Sequence, residues 1–514
     1  MPSAVIPSAV IPLAVISSAA ISSAMTLLLL LLGVPLAAGL LLTLVPSERP
    51  GLVRTLAAAA ALVQLAIGLV AWRQVPIAIG LTWLPKLGLG LDLALDGLSM
   101  PMVLLTALLT AMAVLASPVD QSRPRLYYPL LLATNLGVMG AFLAHNALLF
   151  VLAFELVLIP TTLLVAIWGG ARRAGAAVRF LIYGAVSGLS LLGGVLAFGW
   201  FGQGAGGADA AVSFSFEALA SAPLPPSGQA WVLALLLLGF GLKLPLVPLH
   251  GWQPFTYAEA PAPVVMMLGG AVSKLGAYGL LRFGVGMLPD AWVIFSPWIA
   301  AAGAVSAVYG ALNAIAATDM RRLMAYSSLG HMGLLVLALA AATPLSLQGA
   351  VAQVIAHGLI VALLFACVGL IQRKTGTTVI AELSGLLNPI RGLPFTMGLL
   401  LLALMAAAGI PGLAGFPAEL LVFEGSWTVF PRATLVCLVA SGFTAVYAVR
   451  LFNRVGFGRL DNARADWQTT RLAERLPAIL LTVLVLLTGI WPAGLTGWSE
   501  ASTAALALRS QLPS

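Results

Sequence analysis

The chain has 514 residues, of which 61% are hydrophobic and only 8% are charged, and its mean hydropathy is +1.06. This composition excludes the soluble globular classes. The net charge of +8 and the pI near 9.9 would suit a nucleic-acid partner, but the sequence contains no folded basic domain, so we exclude that role.

The chain begins with a degenerate five-residue repeat, Pro-Ser-Ala-Val-Ile, that extends over residues 1–24. A secretory signal would carry a basic segment, and no Lys or Arg precedes Arg49. We interpret residues 1–24 as a low-complexity N-terminal extension, either disordered or a start-site artefact, with Met25 as the natural first residue.

Apolar runs of about 20 residues, long enough to cross roughly 30 Å of hydrocarbon, recur along almost the whole length. They are continuous rather than alternating, so we predict helices and not a β-barrel. The predicted fold is an all-α polytopic membrane protein with about fourteen transmembrane helices. The predicted spans are 25–45, 52–72, 95–116, 127–144, 147–168, 179–201, 230–250, 261–283, 292–313, 321–341, 347–371, 396–422, 431–452 and 477–496.

The basic residues are distributed unevenly between the connectors. Eighteen of the 25 Lys and Arg residues lie in connectors that follow odd-numbered helices, and only five follow even-numbered helices. Because cytoplasmic loops are enriched in Lys and Arg, we predict that both termini lie on the lumenal or outer side.

Three charged residues, Glu155, Lys243 and Lys274, lie deep within apolar spans. A charge at a helix centre costs roughly 2.5 to 3.5 kcal/mol on insertion, so such residues usually line an ion or proton path. The alternatives are a structural hydrogen bond for the glutamate and snorkelling for the lysines, which would be strained from mid-helix. We predict that these residues form part of a proton path.

Two further residues, His357 and Glu419, extend this set. His357 lies in the middle of the eleventh span, where an imidazole suits a proton relay although core packing competes, and Glu419 lies in the twelfth. The secondary candidates for the proton path are His331, Tyr183, His145 and His250. His250, near a membrane surface, either shapes an access route or is merely solvated.

Prolines interrupt the seventh span directly after Lys243, at Pro245 and Pro248. Each proline removes a helical hydrogen bond and crowds the preceding turn, so the helix should break there. The twelfth span has a matching Gly/Pro interruption at residues 409–417, before Glu419. Such paired interruptions are typical of transporters built from inverted repeats, in which the working site lies at the breaks.

The other notable residues have structural interpretations. Cys367 and Cys437 are isolated in apolar helices, so we predict no metal, iron–sulfur or disulfide role for them. Residues 202–207 match Gly-x-Gly-x-x-Gly but follow a membrane helix, whereas a dinucleotide site requires a preceding strand, so we predict a flexible loop. Trp252, near a span end, is interpreted as part of an interfacial aromatic belt.

Seven stretches together resemble one known family. They are Asp96-Gly-Leu-Ser, Phe154-Glu-Leu-Val-Leu-Ile-Pro, Lys243-Leu-Pro-Leu-Val-Pro-Leu-His, Glu259-Ala-Pro through Lys274-Leu-Gly-Ala-Tyr-Gly, Asp319-Met-Arg-Arg-Leu-Met-Ala-Tyr-Ser-Ser-Leu-Gly-His-Met-Gly, Ala356-His-Gly-Leu-Ile and Gly412-Leu-Ala-Gly-Phe-Pro-Ala-Glu419. From Met25 onward, the chain resembles the antiporter-like M subunits of complex I, which are chain 4 or D-type subunits in photosynthetic NAD(P)H-quinone oxidoreductase.

The resemblance implies a division of the chain into two inverted five-helix repeats and their flanking helices. Helices 1 to 3 would occupy residues 25–126, the first repeat 127–284 and the second repeat 285–455. A connector, helix 14 and a C-terminal tail would occupy residues 456–514.

The resemblance also implies roles for the ionisable residues. Glu155 would pair with Lys243, Lys274 and His357 would continue the proton path, and Glu419 would form its exit side. No cofactor is expected in this chain, because NAD(P)H or ferredoxin, iron–sulfur clusters and quinone would belong to other subunits. The expected partners are the lipid bilayer and the other membrane and peripheral subunits, including another antiporter-like subunit.

One departure from the family concerns its subtype. Most members have His-Thr-Trp-Leu-Pro-Asp where this chain has His250-Gly-Trp-Gln-Pro-Phe255, and the residues that follow are similar to cyanobacterial variants that work in CO2 uptake. We therefore expect a plastoquinone oxidoreductase of that type, with a CO2-hydration protein as a partner, in a thylakoid or plasma membrane of a cyanobacterium-like organism. The alternatives are a subunit of a multisubunit sodium/proton antiporter and a structural subunit with an inactive channel.

Overall fold

The computed structural model describes residues 18–203, 213–221, 224–460 and 469–511. In these ranges, twelve helices are long and apolar enough to cross a membrane. The two other predicted spans are the seventh and the twelfth, which are broken into shorter pieces. The prediction of an all-α polytopic fold with broken helices 7 and 12 is thus confirmed.

Two sequence predictions fall partly outside those ranges. Residues 1–17 of the predicted extension and residues 204–207 of the glycine-rich motif lie outside the described residues. The first helix begins at Ser18, earlier than the predicted start at residue 25, because the Ser/Ala-rich end of the repeat continues the helix.

The N-terminal part contains a β-hairpin that the sequence analysis did not predict. Its elements are α1 (Ser18–Leu42), α2 (Pro50–Trp72), β1 (Ile77–Leu84), β2 (Leu89–Leu95) and α3 (Ser99–Ala116). The two strands pair antiparallel, with Ile77 opposite Leu95. A short 3₁₀ turn, Pro85–Leu87, joins them and ends at Gly88, whose φ of 64° lies in the left-handed region that favours glycine.

The next part of the chain contains nine helices. They are α4 (Pro124–Leu143), α5 (Ala147–Leu156), α6 (Leu158–Trp168), α7 (Arg173–Gln203), α8 (Phe216–Ser221), α9 (Pro226–Lys243), α10 (Gln253–Glu259), α11 (Ala262–Met267) and α12 (Lys274–Gly279). Two π-helical segments, Leu268–Val272 and Leu280–Val285, flank α12. Residues Ala262–Val285 therefore form one membrane segment with two local changes of helical pitch.

The last part of the chain contains nine more helices. They are α13 (Pro289–Ala316), α14 (Met320–Ala341), α15 (Pro344–Thr375), α16 (Pro394–Ala407), α17 (Gly415–Trp427), α18 (Pro431–Gly456), α19 (Leu472–Ile490), α20 (Ala493–Thr496) and α21 (Glu500–Gln511). A 3₁₀ turn, Ile380–Glu382, precedes α16. Proline starts α13, α15, α16 and α18, where its missing N–H costs no helical hydrogen bond.

The two halves share one local device. Asn146 caps α5 with its side chain and pairs in a β-bridge with Ser215, which follows the next long helix. Asp319 caps α14 in the same manner and pairs with Val379, again after the next long helix. This shared arrangement is what two structurally related halves would show. The boundaries of the predicted repeats stay a prediction.

The centre of the molecule is formed by four membrane segments. The most apolar windows of Ala262–Val285 and α15 are 100% and 94% buried, and those of α14 and α3 are both 89% buried, whereas those of α1, α7 and α19 are 22%, 33% and 28% buried. Facing glycines let α13 and α14 pack closely, because a Cβ on Gly333 would lie 2.5 Å from the backbone oxygen of Gly303. The buried segments carry Lys274, His331 and His357.

Candidate functional site

The break in the seventh membrane segment places Lys243 at the end of α9. The helix ends at Lys243, as the prolines after it predict, and the Lys243 side chain is buried. The Lys243 Nζ lies 4.5 Å from the centre of the Phe154 ring and 5.9 Å from that of Phe180, so two aromatic faces stabilise its charge. Trp252 is also buried and donates to the Leu242 carbonyl at 2.8 Å, so its interpretation as an interfacial residue was wrong.

Glu155 lies close to the junction of α5 and α6 and is half-buried. Its carboxylate packs directly on α7, since a Cβ on Gly188 would lie only 1.7 Å from Glu155 Oε1. Within the described part of the chain, the carboxylate oxygens of Glu155 lie more than 4.0 Å from the Lys243 nitrogen, so the two side chains form no ion pair. The ring of Phe154, the neighbour of Glu155, lies against the Lys243 ammonium.

Lys274 is fully buried and directly contacts His357. Its Nζ lies 2.7 Å from His357 Nδ1 and 3.4 Å from the Met332 sulfur. In the π-helical segment before Lys274, the Ser273 N–H donates to the Leu268 carbonyl, five residues earlier in the chain. This spacing, one residue longer than in an α-helix, changes the direction of the side chains that follow. An ammonium at this position donates to Nδ1, and the imidazole then carries its own proton on Nε2.

His331, on α14, links His357 to the second helix break. Its ring centre lies 5.5 Å from that of His357. Its Nδ1 lies 2.8 Å from the Ser327 carbonyl, and its Nε2 lies 2.9 Å from the carbonyl of Ala407, the last residue of α16. Because a carbonyl oxygen can only accept a hydrogen bond, both ring nitrogens donate, and this geometry fits the positively charged imidazolium.

Glu419, on α17, is the acidic partner of His331. Its Oε1 lies 3.5 Å from His331 Nε2, and both side chains are buried. Its Oε2 accepts a 2.6 Å hydrogen bond from Ser441 on α18. The segment between α16 and α17 turns at Gly409 and Gly412, whose φ angles of 66° and 89° are left-handed, so the break depends on glycine at these positions.

Two small cavities lie on either side of His331, each of about 10 Å³, which is about the room that one water molecule requires. The first is lined by His331, His357, Glu419 and the buried Gln353. The second is lined by His331, Ser441, Thr444 and Tyr447. The polar chain from Lys274 to Ser441 is therefore continuous through direct contacts and spaces of the size of a water molecule.

A second polar cluster lies on α10 and the elements around it, and the sequence analysis missed it. Gln253 is fully buried and donates to Ser328 on α14 at 3.2 Å. Gln253 Oε1 and Thr256 Oγ1 are buried and have no hydrogen-bond partner. Such orphaned groups bind water where there is room. The signal in the sequence was a run of polar side chains directly after a proline-broken helix.

Of the four secondary candidates, only His331 belongs to this chain of residues, and the other three lie elsewhere. His145 is near the hairpin, with its Nε2 3.6 Å from Glu217, and burial and the Arg282 charge lower the pKa of His145 below its ordinary value. His250 packs on Tyr309 with ring centres 4.7 Å apart. Tyr183 points its hydroxyl at the turn after α9, 2.6 Å from the position of a Cβ on Gly251.

The broken helices with buried lysines, histidines and glutamates in the bilayer define an antiporter-like membrane subunit. The sequence model of the family "NADH:quinone oxidoreductase/Mrp antiporter, TM" matches residues 144–444. The chain belongs to this family, which confirms the resemblance carried by its motifs.

Similar proteins are known from cyanobacteria. "NAD(P)H-quinone oxidoreductase chain 4 2" of Thermosynechococcus vestitus is 35% identical over 491 residues, which cover 92% of this chain and 90% of the relative. "NAD(P)H-quinone oxidoreductase chain 4 1" of Synechococcus elongatus is 38% identical over 447 residues, 84% of this chain and 81% of the relative.

Solved structures show the same fold. A chain of respiratory complex I from Thermus thermophilus with bound NADH has a TM-score of 0.86 at 28% identity, with 95% of this chain and 100% of that chain covered. A chain of the archaeal membrane-bound sulfane sulfur reductase has a TM-score of 0.83 at 23% identity, with 95% and 99% covered, and shows the fold alone.

Proposed function

We propose that the chain translocates protons as an antiporter-like subunit of a NAD(P)H- or ferredoxin-driven plastoquinone oxidoreductase. The observation that carries this proposal is the buried polar chain from Lys274 through His357 and His331 to Glu419. Four ionisable side chains, each close to the next, are energetically costly to bury within the bilayer. This energetic cost is explained if the four groups transfer protons.

In the proposed mechanism, one proton moves along the polar chain from Lys274 to the second cavity. Lys274 Nζ passes a proton to His357 Nδ1, across 2.7 Å. His331 releases the proton on Nε2 to Glu419 and is reprotonated from the His357 side through a water in the first cavity. Glu419 then gives the proton to the Ser441 hydroxyl, which gives up its own proton to a water in the second cavity and rotates from donating to accepting towards Glu419 Oε2.

Glu155 and Lys243 act as the switch in this proposal. A carboxylate near a buried ammonium stabilises its charged form, and a carboxylate that moves away favours release of the proton. The carboxylate rests on Gly188 beyond ion-pair distance from Lys243, so a small shift of α5 relative to α7 changes the interaction.

The energy for translocation comes from other subunits in this proposal. NAD(P)H or ferredoxin, iron–sulfur clusters and quinone are assigned to those subunits, which include another antiporter-like one, and electrons do not pass through this chain. Both termini are placed on the lumenal or outer side, as the distribution of basic residues predicts. The chain 4 names of the cyanobacterial relatives support this assignment.

Translocation is tested in inside-out membrane vesicles that contain the intact complex. Proton uptake is measured by the quenching of a pH-sensitive dye. Lys274→Met should abolish this uptake, while the complex still assembles and still reduces quinone with its electron donor. The matched control is Lys86→Met, which removes an exposed lysine in the hairpin turn and should change nothing. Full proton uptake by the Lys274 variant would refute the assigned path.

The CO2-uptake subtype, in a thylakoid or plasma membrane, is a further part of the proposal. It is supported by the amino-acid sequence around Phe255. Purification of the complex from carbon-limited cells should yield a CO2-hydration protein, and its absence would count against the subtype. Sodium-dependent proton exchange by the chain with small antiporter subunits, without an electron donor, would favour the antiporter alternative.

A further inference from the structure

Phe255, on α10, has two arginines close to its ring. The guanidinium carbon of Arg179, on α7, is 3.8 Å from the centre of the ring, and that of Arg322, on α14, is 5.7 Å from it. Phe255 is 38% exposed, and Arg179 is also exposed. Among the residues with described positions, neither arginine has a carboxylate within 4.0 Å. Two like charges therefore share one aromatic ring without a counter-charge.

A row of aromatic residues continues from this pair of charges. Tyr326 lies one turn after Arg322 on α14, and its ring centre is 6.4 Å from that of Tyr309. Tyr309 in turn packs on His250, whose Nδ1 is buried without a hydrogen-bond partner. The surface thus combines two positive charges with aromatic rings, a combination that fits a polar ligand carrying negative charge.

The helices beside this surface present apolar side chains to the bilayer. Val178 and Ile182 of α7 are 54% and 56% exposed, and Val305 and Leu312 of α13 are 54% and 51% exposed. A ligand that satisfies both regions has an anionic head and hydrocarbon chains. A soluble acidic segment would match only the arginines, so the observations favour a lipid.

We propose that Arg179, Phe255 and Arg322 form a binding site for the anionic headgroup of a membrane lipid whose acyl chains lie along α7 and α13. The guanidinium groups hold the headgroup oxygens, because arginine binds phosphate and similar anions through its planar set of donors. The ring of Phe255 contacts both guanidinium groups. This site does not depend on the proposed proton path.

The site joins three elements that have no covalent connection nearby. Arg179, Phe255 and Arg322 belong to α7, α10 and α14, and α10 follows the broken helix that ends at Lys243. A headgroup bound by both arginines neutralises their repulsion and holds α10 between its neighbours. The lipid is thus a structural ligand of the segment that carries Gln253.

The test uses the intact complex in lipid nanodiscs that contain equal amounts of phosphatidylglycerol and phosphatidylcholine. Native mass spectrometry of the released complex measures which lipid stays bound. Arg179→Gln and Arg322→Gln should each lower the preference for phosphatidylglycerol about fivefold, the effect of one arginine near an anionic surface. The double variant should show no preference for phosphatidylglycerol.

The matched control is Arg173→Gln, which removes another exposed arginine from the same end of α7. It should retain the preference of the unchanged protein. An equal loss in the control would mean a diffuse surface charge and would overturn the site, as would full retention by the double variant. Retained quinone reduction by all variants verifies that the complex is folded.

A second measurement identifies the occupant directly. Phe255 is replaced by the photoreactive analogue benzoylphenylalanine, and the complex is irradiated in the same nanodiscs. A cross-link to phosphatidylglycerol supports the proposal, whereas a cross-link only to another protein subunit overturns it in favour of an acidic protein partner.

Discussion

The contact between Gly188 and Glu155 allows the proposed switch to be tested without changing a charge. A Cβ on Gly188 would lie 1.7 Å from Glu155 Oε1 and 2.2 Å from its Cδ. Since ordinary contacts with a Cβ begin near 3.4 Å, Gly188→Ala forces the carboxylate to move by about 1.7 Å. Misplacement of a reacting group by about 1 Å can cost up to 10²-fold in rate, so proton uptake should fall at least tenfold.

The assay compares Gly188→Ala with Gly193→Ala in inside-out vesicles. A Cβ on Gly193, on the same helix, would meet only Leu235 at an ordinary 4.0 Å. Both variants gain the same small helical preference of alanine over glycine, about 0.5 to 1 kcal/mol, so that effect cancels in the comparison. Gly193→Ala should leave proton uptake unchanged while both complexes assemble normally.

A double-mutant cycle shows whether the loss acts through Glu155. If Gly188→Ala acts by displacing the carboxylate, it should add nothing in a Glu155→Ala background, because the displaced group is gone. Equal proton uptake by the Gly188 and Gly193 variants would refute the reasoning. Fully additive losses in the cycle would show that alanine acts on α7 packing and not on the carboxylate.

Three further predictions concern the second break, the hairpin and the helix packing. Glu419→Gln keeps the size of the side chain but removes the charge that faces the histidine, so proton uptake should be lost in the vesicle assay without loss of assembly. Asp96 accepts two 2.6 Å hydrogen bonds from Arg282, whose charge outweighs the effect of burial and holds the pKa of Asp96 well below its usual range. The ion pair with Arg282 stabilises the folded protein above the ordinary pKa of an aspartate, and this stabilisation is lost only as the pH falls through the lowered pKa of Asp96. Asp96→Asn should therefore destabilise the folded protein by roughly 3 kcal/mol at pH 5 and pH 7 alike, measured in thermal melts. Gly333→Val would press on backbone atoms of α13 and should prevent assembly, measured by gel filtration, whereas Gly398→Val, with open space around it, should not.

The fold could be predicted because its main signals are local. Apolar runs give the membrane helices, and the prolines after Lys243 end α9 at that residue. The hairpin was missed although Leu89, Leu91, Leu93 and Leu95 alternate with smaller or polar residues, because an alternating run of seven residues is short beside the long helical signals. The π-helical turns around Lys274 leave no mark in the apolar pattern, since they change the pitch and not the composition.

The candidate site could be predicted only as a set of residues and not as an arrangement. His331 was a secondary candidate because nothing in its own helix shows that Glu419 lies 3.5 Å away. That contact depends on α14 and α17 packing together and on the break that brings Ala407 to the ring. Conversely, the pair Glu155 and Lys243 was expected from the resemblance and stays a prediction, while the structure places the Phe154 ring against the ammonium.

The two helix breaks share an electrostatic feature, a helix C-terminus next to a cation. Each ends a half-helix at a cation: α9 ends at Lys243, and the final carbonyl of α16, at Ala407, accepts from His331. The C-terminus of a helix carries a partial negative charge because its last carbonyls have no partner within the helix. At each break, the partial negative charge of a helix C-terminus therefore supports a positive charge inside the bilayer, and at the second break Glu419 lies 3.5 Å from His331 as a further partner. In the proposed mechanism, Glu155 and Glu419 act as the variable partners, because their approach or retreat alters a charge that the backbone already supports.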